Sequence, residues 1–201
     1  MNRLVPLAVA TLALAFCQTA FAGDTNSKSK IYGTLAYVSP LAETDQNISG
    51  VTDAVKASSE FGFNLGLEFR TTILLGIELD YLYARHDLEH DTAGLLGETT
   101  FQPISGTLNL HVPLGNLDLY AGPTVAYVNW GDLKLPSGGG TVEIDAEFGY
   151  GISAGIDLEV LPSLAVTGGL RWLRLEAQPE GSSDALDVNP LFARVGVAAK
   201  F

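Results

Sequence analysis

The sequence predicts an all-β fold, an eight-stranded antiparallel transmembrane up-and-down β-barrel with short periplasmic turns and long extracellular loops. Three observations carry that expectation. Residues 143–160, EIDAEFGYGISAGIDLEV, alternate at every step. Ile144, Ala146, Phe148, Tyr150, Ile152, Ala154, Ile156, Leu158 and Val160 stand against acids, glycines and Ser153. A period of two belongs to an extended strand, whose side chains point to opposite faces in turn. The same alternation returns in seven other segments with no helical period between them. Last, the chain closes on Phe201, with Ala199, Val197, Val195 and Ala193 alternating behind it on one face.

The chain opens MNRLVPLAVATLALAFCQTAFA, with Arg3 its only charge, an apolar run from Leu4 to Phe16, and small residues at Ala20 and Ala22. That is the layout of a cleaved secretory signal peptide over residues 1–22, too short in its apolar run to span a bilayer. Cys17 follows Phe16, which fits the small-residue approach to a lipidated cysteine poorly. Residues 23–201 then form one outer-membrane barrel domain without cysteine. The full chain carries 11 basic and 23 acidic residues. Removing the leader, with its single arginine, leaves a net charge of −13, and the phosphate-binding cation patch of a nucleic-acid partner is missing.

The strands follow in order. IYGTLAYVS (31–39) opens the series, and EFGFNLGLEFR (60–70) sets Phe61, Phe63, Leu65, Leu67 and Phe69 against Gly62, Asn64, Gly66, Glu68 and Arg70. ILLGIELDYLYA (73–84) and ISGTLNLHV (104–112) repeat the pattern, as do 117–130, 143–160, 164–175 and 191–201. Tight connections are expected at 71–72, 113–116 and 161–163, and long polar ones at 39–58, 85–99, 131–141 and 177–187. Short turns at one end and long loops at the other describe a meander.

Alternation alone leaves two barrels open, because a soluble lipocalin-like barrel has the same strand count with its apolar face inward. The strands here exceed the roughly 9–11 tilted residues that cross a membrane. Small residues crowd the polar face, as a cramped lumen requires. Aromatics (Tyr37, Phe61, Phe69, Tyr81, Tyr83, Trp172) gather near strand ends on the apolar face, as interfacial girdles do. The apolar face therefore meets lipid.

Four stretches resemble the OmpW family of small outer-membrane proteins: GTLAYVSP (33–40), LGIELDYLYARHDL (75–88), LYAGPTVAYVNW (119–130) and VNPLFARVGVAAKF (188–201). With length and loop rhythm, the resemblance covers nearly the whole mature chain. It implies a Gram-negative outer-membrane location and a role in binding or passing small apolar molecules. Phe201 resembles the terminal signal by which the barrel-assembly machinery recognises such chains for insertion. Outer-membrane lipid and lipopolysaccharide are the implied surroundings, and no cofactor or metal is implied.

With the N-terminus periplasmic, odd strands run outward, and inward side chains sort by height. Asn64, Glu78, Asp80, Thr107, Arg171 and Arg194 fall near mid-barrel. Arg171 and Arg194 stand seven residues from the periplasmic ends of their strands and so at similar height. Charges in a narrow bore need partners, so the four ionic groups either form one Arg171/Arg194–Glu78/Asp80 cluster across the bore or pair locally. Above them the inward parity turns apolar at Val38, Leu82, Val128, Trp130, Leu173 and Phe192. These six either line a pocket at the outer mouth or pack as a plug. A dead-ended vestibule needs a lateral exit, for which Pro123 and Pro190, lacking ladder donors, are candidates.

Catalysis finds little footing. His86 and His90 in RHDLEHD (85–91) would share a face only on a helix. His111 counts across the 113–116 turn onto Asp118, an ion pair at the periplasmic end, far from the outer leaflet where a lipid A-modifying enzyme would work. A structural, adhesin or receptor barrel without transport remains the alternative to the solute-binding channel, with acidic loops open to divalent cations or a partner.

Overall fold

The structure is a computed structural model that describes residues 29–40, 44–48, 51–90, 94–134, 141–142, 146–177, 186–187 and 189–201. The signal-peptide reading and Glu143–Asp145 lie outside the described residues. Eight long strands close on themselves: β1 (Lys30–Pro40), β2 (Glu60–Arg70), β3 (Leu75–His90), β4 (Gly94–Leu114), β5 (Leu117–Trp130), β6 (Glu147–Leu161), β7 (Leu164–Arg174) and β8 (Pro190–Lys200). Each pairs antiparallel with the next, and β8 returns to β1 from Lys30↔Lys200 to Pro40↔Pro190. Closure leaves no sheet edge in the membrane, where an unpaired backbone group has no water to turn to.

The burial pattern is that of a soluble protein turned inside out. On β6, every even position from Phe148 to Val160 is exposed, while Gly149, Ser153 and Asp157 are buried. Phe148 is 78% exposed, yet Lys30, Glu68, Glu78, Asp80, Asp157, Arg171 and Arg194 are buried. Only hydrocarbon makes that arrangement stable. Tyr37 against Phe61 (ring centroids 5.3 Å apart) and Tyr127 against Phe148 (5.0 Å) belong to the outer girdle. An Ala154→Arg substitution, midway along the exposed face of β6, is expected to cost about 2–4 kcal/mol in a bilayer, whereas Leu161→Arg beside the turn costs about 0–1 kcal/mol. Urea unfolding of both variants in lipid checks the contrast.

The turns differ in detail from expectation. The 71–72 turn spans 71–74: Thr71 and Thr72 donate backbone N–H groups to the Leu75 carbonyl, and Thr72 Oγ1 accepts from the amides of Leu74 and Leu75. Threonine hydroxyls thus offer local bonds that compete with the ladder, and Ile73 lies in the turn. The 113–116 turn shrinks to Gly115 and Asn116, because Leu114 pairs with Leu117. Gly115 takes a φ of 70°, which a two-residue hairpin with glycine first requires. The third turn is Pro162 and Ser163, after a bulge between Glu159 and Leu161.

The long connections also carry more strand than expected. The 85–99 segment is mainly ladder, with β3 running to His90, β4 starting at Gly94, and His86 opposite Thr99. Within 39–58, Thr44–Ile48 pairs with Val51–Ala57, which lies along the tip of β3. Two-residue strands add to the connections between β5 and β6 and between β7 and β8. Beyond the bilayer the outward face of a strand meets water and carries charge, as Arg85 and Glu98 do, so the apolar–polar alternation that marks a membrane strand is lost there even though His86 and Thr99 stay buried.

Candidate functional site: a layered lumen

Lumen side chains fall into three layers. At the periplasmic end, Lys30 Nζ lies 2.8 Å from Asp157 Oδ2 and 3.3 Å from Glu68 Oε2. Glu68 also meets His111 Nε2 at 2.8 Å and Arg70 Nε at 3.2 Å, and Arg70 bridges to Asp118. His111 Nδ1 stands 3.2 Å from Asp118 Oδ2. The pair forms diagonally, because the shorter turn sets His111 opposite Tyr120 and Asp118 opposite Pro113. Of this layer only His111 and Asp118 stood out in the sequence. Lys30, Glu68, Arg70 and Asp157 carry the inward parity, but nothing along one strand shows which charges converge.

The middle layer brings Glu78, Asp80, Arg171 and Arg194 together. Arg171 grips Asp80 with two nitrogens, at 2.8 and 2.6 Å, and donates to Glu78 Oε1 at 2.9 Å. Arg194 donates to the same Glu78 oxygen at 2.9 Å and to the Tyr32 hydroxyl at 3.0 Å, and that hydroxyl donates onward to Glu78 at 2.9 Å. Thr107 shares a 2.8 Å bond with Thr124. The arginines are not level: Gly169 pairs with Arg194 and Arg171 with Phe192, one inward step apart. The offset arises because β8 runs on past the 162–163 turn, where Lys200 donates to the Ser163 carbonyl.

Glu68 and Glu78 are directly opposite on neighbouring strands, an arrangement that repels. Asn109 Nδ2 separates them, donating to Glu68 Oε2 at 3.2 Å and to Glu78 Oε2 at 3.0 Å. Glu68 is thereby committed to the lower cations and Glu78 to the upper ones. Tyr32 and Tyr120 fit between these layers because they face Gly66 and Gly155, where a Cβ would collide with the phenol rings. Inward aromatics opposite glycines leave a signal only once register is known.

The upper layer holds all six apolar residues singled out in the sequence. Val38, Leu82, Val128, Leu173 and Phe192 pack with Ala36, Ala84, Phe101, Ala126 and Leu175, and Trp130 lies against them. Phe101 is the hub, 4.8 Å from the Trp130 ring and stacked at 5.8 Å on Phe192. It stands on β4 between the expected loop, 85–99, and the expected start of the strand at Ile104. The layer is packed at rest: the void at its foot, lined by Ala36, Asn64, Leu82, Pro103, Phe192 and the two arginines, is about 10 Å³, room for one water.

One wall of the apolar layer is weakly sewn. The β3–β4 ladder pairs Tyr81 with Ile104 and Ala84 with Phe101, and skips Leu82 and Tyr83, which face Pro103 and Gln102. Pro103 has no N–H to donate. Across this seam the Tyr81 hydroxyl donates to Gln102 Oε1 at 3.0 Å. Pro123, one of the two prolines expected to loosen a ladder, does break the β4–β5 pairing, but beside Asn109 in the polar layers. The backbones there press so close that a Cβ on Gly122 would strike the Leu108 carbonyl. Pro190 sits at the end of the β1–β8 ladder opposite Pro40, where little pairing remains to lose.

The histidines of RHDLEHD are on a strand, where positions four apart are separated by about 13 Å. His86 Nδ1 lies 2.8 Å from the Ser58 carbonyl and its ring edges onto Phe101 at 5.8 Å. Among the described residues no group of His, Cys, Asp and Glu is arranged to hold a metal.

An apolar exterior, a closed antiparallel ladder and a bore crossed by salt bridges define a transmembrane β-barrel. Known proteins agree. The profile of the outer membrane protein beta-barrel domain matches residues 8–201, and the chain belongs to that family of the Gram-negative outer membrane. Among solved structures, OprG from Pseudomonas aeruginosa superposes with a TM-score of 0.75 at 18% identity, over 89% of this chain and 98% of that one. AlkL gives 0.65 at 16% over 90% and 92%, and Neisserial surface protein A gives 0.61 at 15% over 89% and 99%. These identities establish a shared fold. No curated protein sequence matches significantly.

Proposed function

We propose that this barrel works as OmpW-type barrels are expected to, taking small apolar molecules from the outer face into its upper lumen and releasing them sideways into the membrane. The observation that supports this reading is the position of the Pro103 seam. It interrupts the ladder beside the only lumen layer, among the described residues, built mainly of hydrocarbon. Straight passage would carry an apolar solute into two layers of buried charge, at a high desolvation cost. Sideways passage exchanges one apolar environment for another. The Phe201-ended β8 is the surface offered to the assembly machinery, and lipopolysaccharide is the lipid beside the outer girdle.

In vesicles containing the barrel, an apolar dye that fluoresces in lipid should partition inward faster than into protein-free vesicles. Pro103→Val, which supplies the missing donor, should slow the protein-dependent rate about fivefold, the worth of roughly 1 kcal/mol of hydrogen bond. A dye rate equal to that of empty vesicles contradicts the proposal. An adhesin reading draws on the β3–β4 hairpin, which runs on past the girdle to His90 and Gly94. It gains ground only with that null result and with surface binding that shortening the hairpin removes. We assign the barrel no catalytic step, since His86 is bonded to a backbone carbonyl and His111 to the lower carboxylates.

A further inference from the structure

We propose that the void at the foot of the apolar layer is a head-group site, and that the solutes this barrel prefers are uncharged apolar chains ending in a hydroxyl. This rests on the uptake reading and adds the chemical class of the solute. The void has an apolar ceiling of Ala36, Leu82 and Phe192, a side wall at Pro103, and a floor of Asn64, Arg171 and Arg194. Two of the floor residues each carry a polar atom with no hydrogen-bond partner among the described residues: Asn64 Oδ1, an acceptor, and Arg171 Nε, a donor. Their residues are 3% and 5% exposed, so bulk water does not serve them.

These two groups are neighbours by construction. Asn64 Nδ2 donates to Asp80 Oδ1 at 3.2 Å and Arg171 Nη1 to the same oxygen at 2.8 Å. The amide and guanidinium share one carboxylate oxygen, and each residue brings one unpartnered polar atom to the lining of the same void. A hydroxyl gives one proton and takes another, and so can satisfy both. A carboxylate has no proton for Asn64 Oδ1. It would also add a third negative charge to a layer in which Glu78 and Asp80 already balance Arg171 and Arg194. A hydrocarbon end satisfies neither atom. The head group takes the space of one water, and its tail must part the packed side chains along Leu82 and Phe192 beside the seam.

The test uses the mature barrel in lipid nanodiscs, in a Trp172→Phe background so that Trp130 is the remaining tryptophan. Octan-1-ol, octane and octanoate are titrated at matched membrane concentration while Trp130 emission is followed. Octan-1-ol is expected to bind about tenfold more tightly than octane, the worth of a well-made pair of buried hydrogen bonds, with octanoate weakest. Asn64→Leu should abolish the alcohol's advantage. Equal binding of octan-1-ol and octane overturns the head-group site, as it would if the void held only a resident water, and leaves apolar uptake standing. Tighter binding of octanoate overturns the claim of an uncharged head. Silence with all three overturns the uptake reading as well.

Discussion

Glu78→Leu is expected to destabilise the folded barrel by about 3–5 kcal/mol, because it strands charge in the bore. The Glu78 carboxylate accepts from Arg171, Arg194 and Tyr32 on one oxygen and from Asn109 on the other. Without it, Arg194 keeps only the neutral Tyr32 hydroxyl as a partner among the described residues, and Asp80 alone faces two guanidinium groups. The sign depends on which groups remain. Removing the whole pair, as in Glu78→Leu with Arg194→Leu, leaves Arg171 and Asp80 balanced, and exchanging a buried ion pair for apolar side chains is often nearly neutral. The double variant should therefore recover most of the loss. Equilibrium urea unfolding in bilayers, followed by tryptophan emission, reads both. A single variant as stable as the parent would mean that water reaches Arg194 and that the bore is wetter than its buried contacts imply.

How much of this was legible from the chain differs by level. Strand identity and the lipid-facing side were legible because the membrane imposes a strict two-residue rule on each crossing, as Phe148 to Val160 show. Where that rule lapses, so does the signal. Residues 85–90 and 94–103 extend two strands, but RHDLEH reads as loop because its inward and outward positions alike carry polar side chains, as His86 and Asp87 do, and Phe101 and Pro103 fell just ahead of the segment read as strand. Turn chemistry was half legible. Gly115 marks a tight hairpin, but whether the turn holds two or four residues decides if His111 faces Asp118 or Tyr120.

Convergence across the bore was legible only in part. Arg171, Arg194, Glu78 and Asp80 could be brought together by counting from strand ends, because long guanidinium side chains tolerate an error of one inward step. The packing of Tyr32 on Gly66 and the bridge of Asn109 between two glutamates tolerate no such error, and both depend on register. The six apolar residues were legible as a set by parity and height. That they pack to a void of one water depends on Phe101 filling the centre.

The central claim is that apolar solutes leave through the β3–β4 seam, and closing that seam covalently tests it most directly. Tyr83 and Gln102 face one another across the skipped pairs, just below Ala84↔Phe101. Opposed residues in an antiparallel ladder have Cα atoms about 4.5–5.5 Å apart, within disulfide reach. Cys17 is the chain's one cysteine, so a barrel of residues 23–201 carrying Tyr83→Cys and Gln102→Cys has a single possible intramolecular bridge. When the bridge is oxidised, dye uptake into vesicles should fall to the protein-free rate, and reductant should restore it. Oxidised and reduced barrels with the same protein-dependent rate would contradict a lateral exit at Pro103.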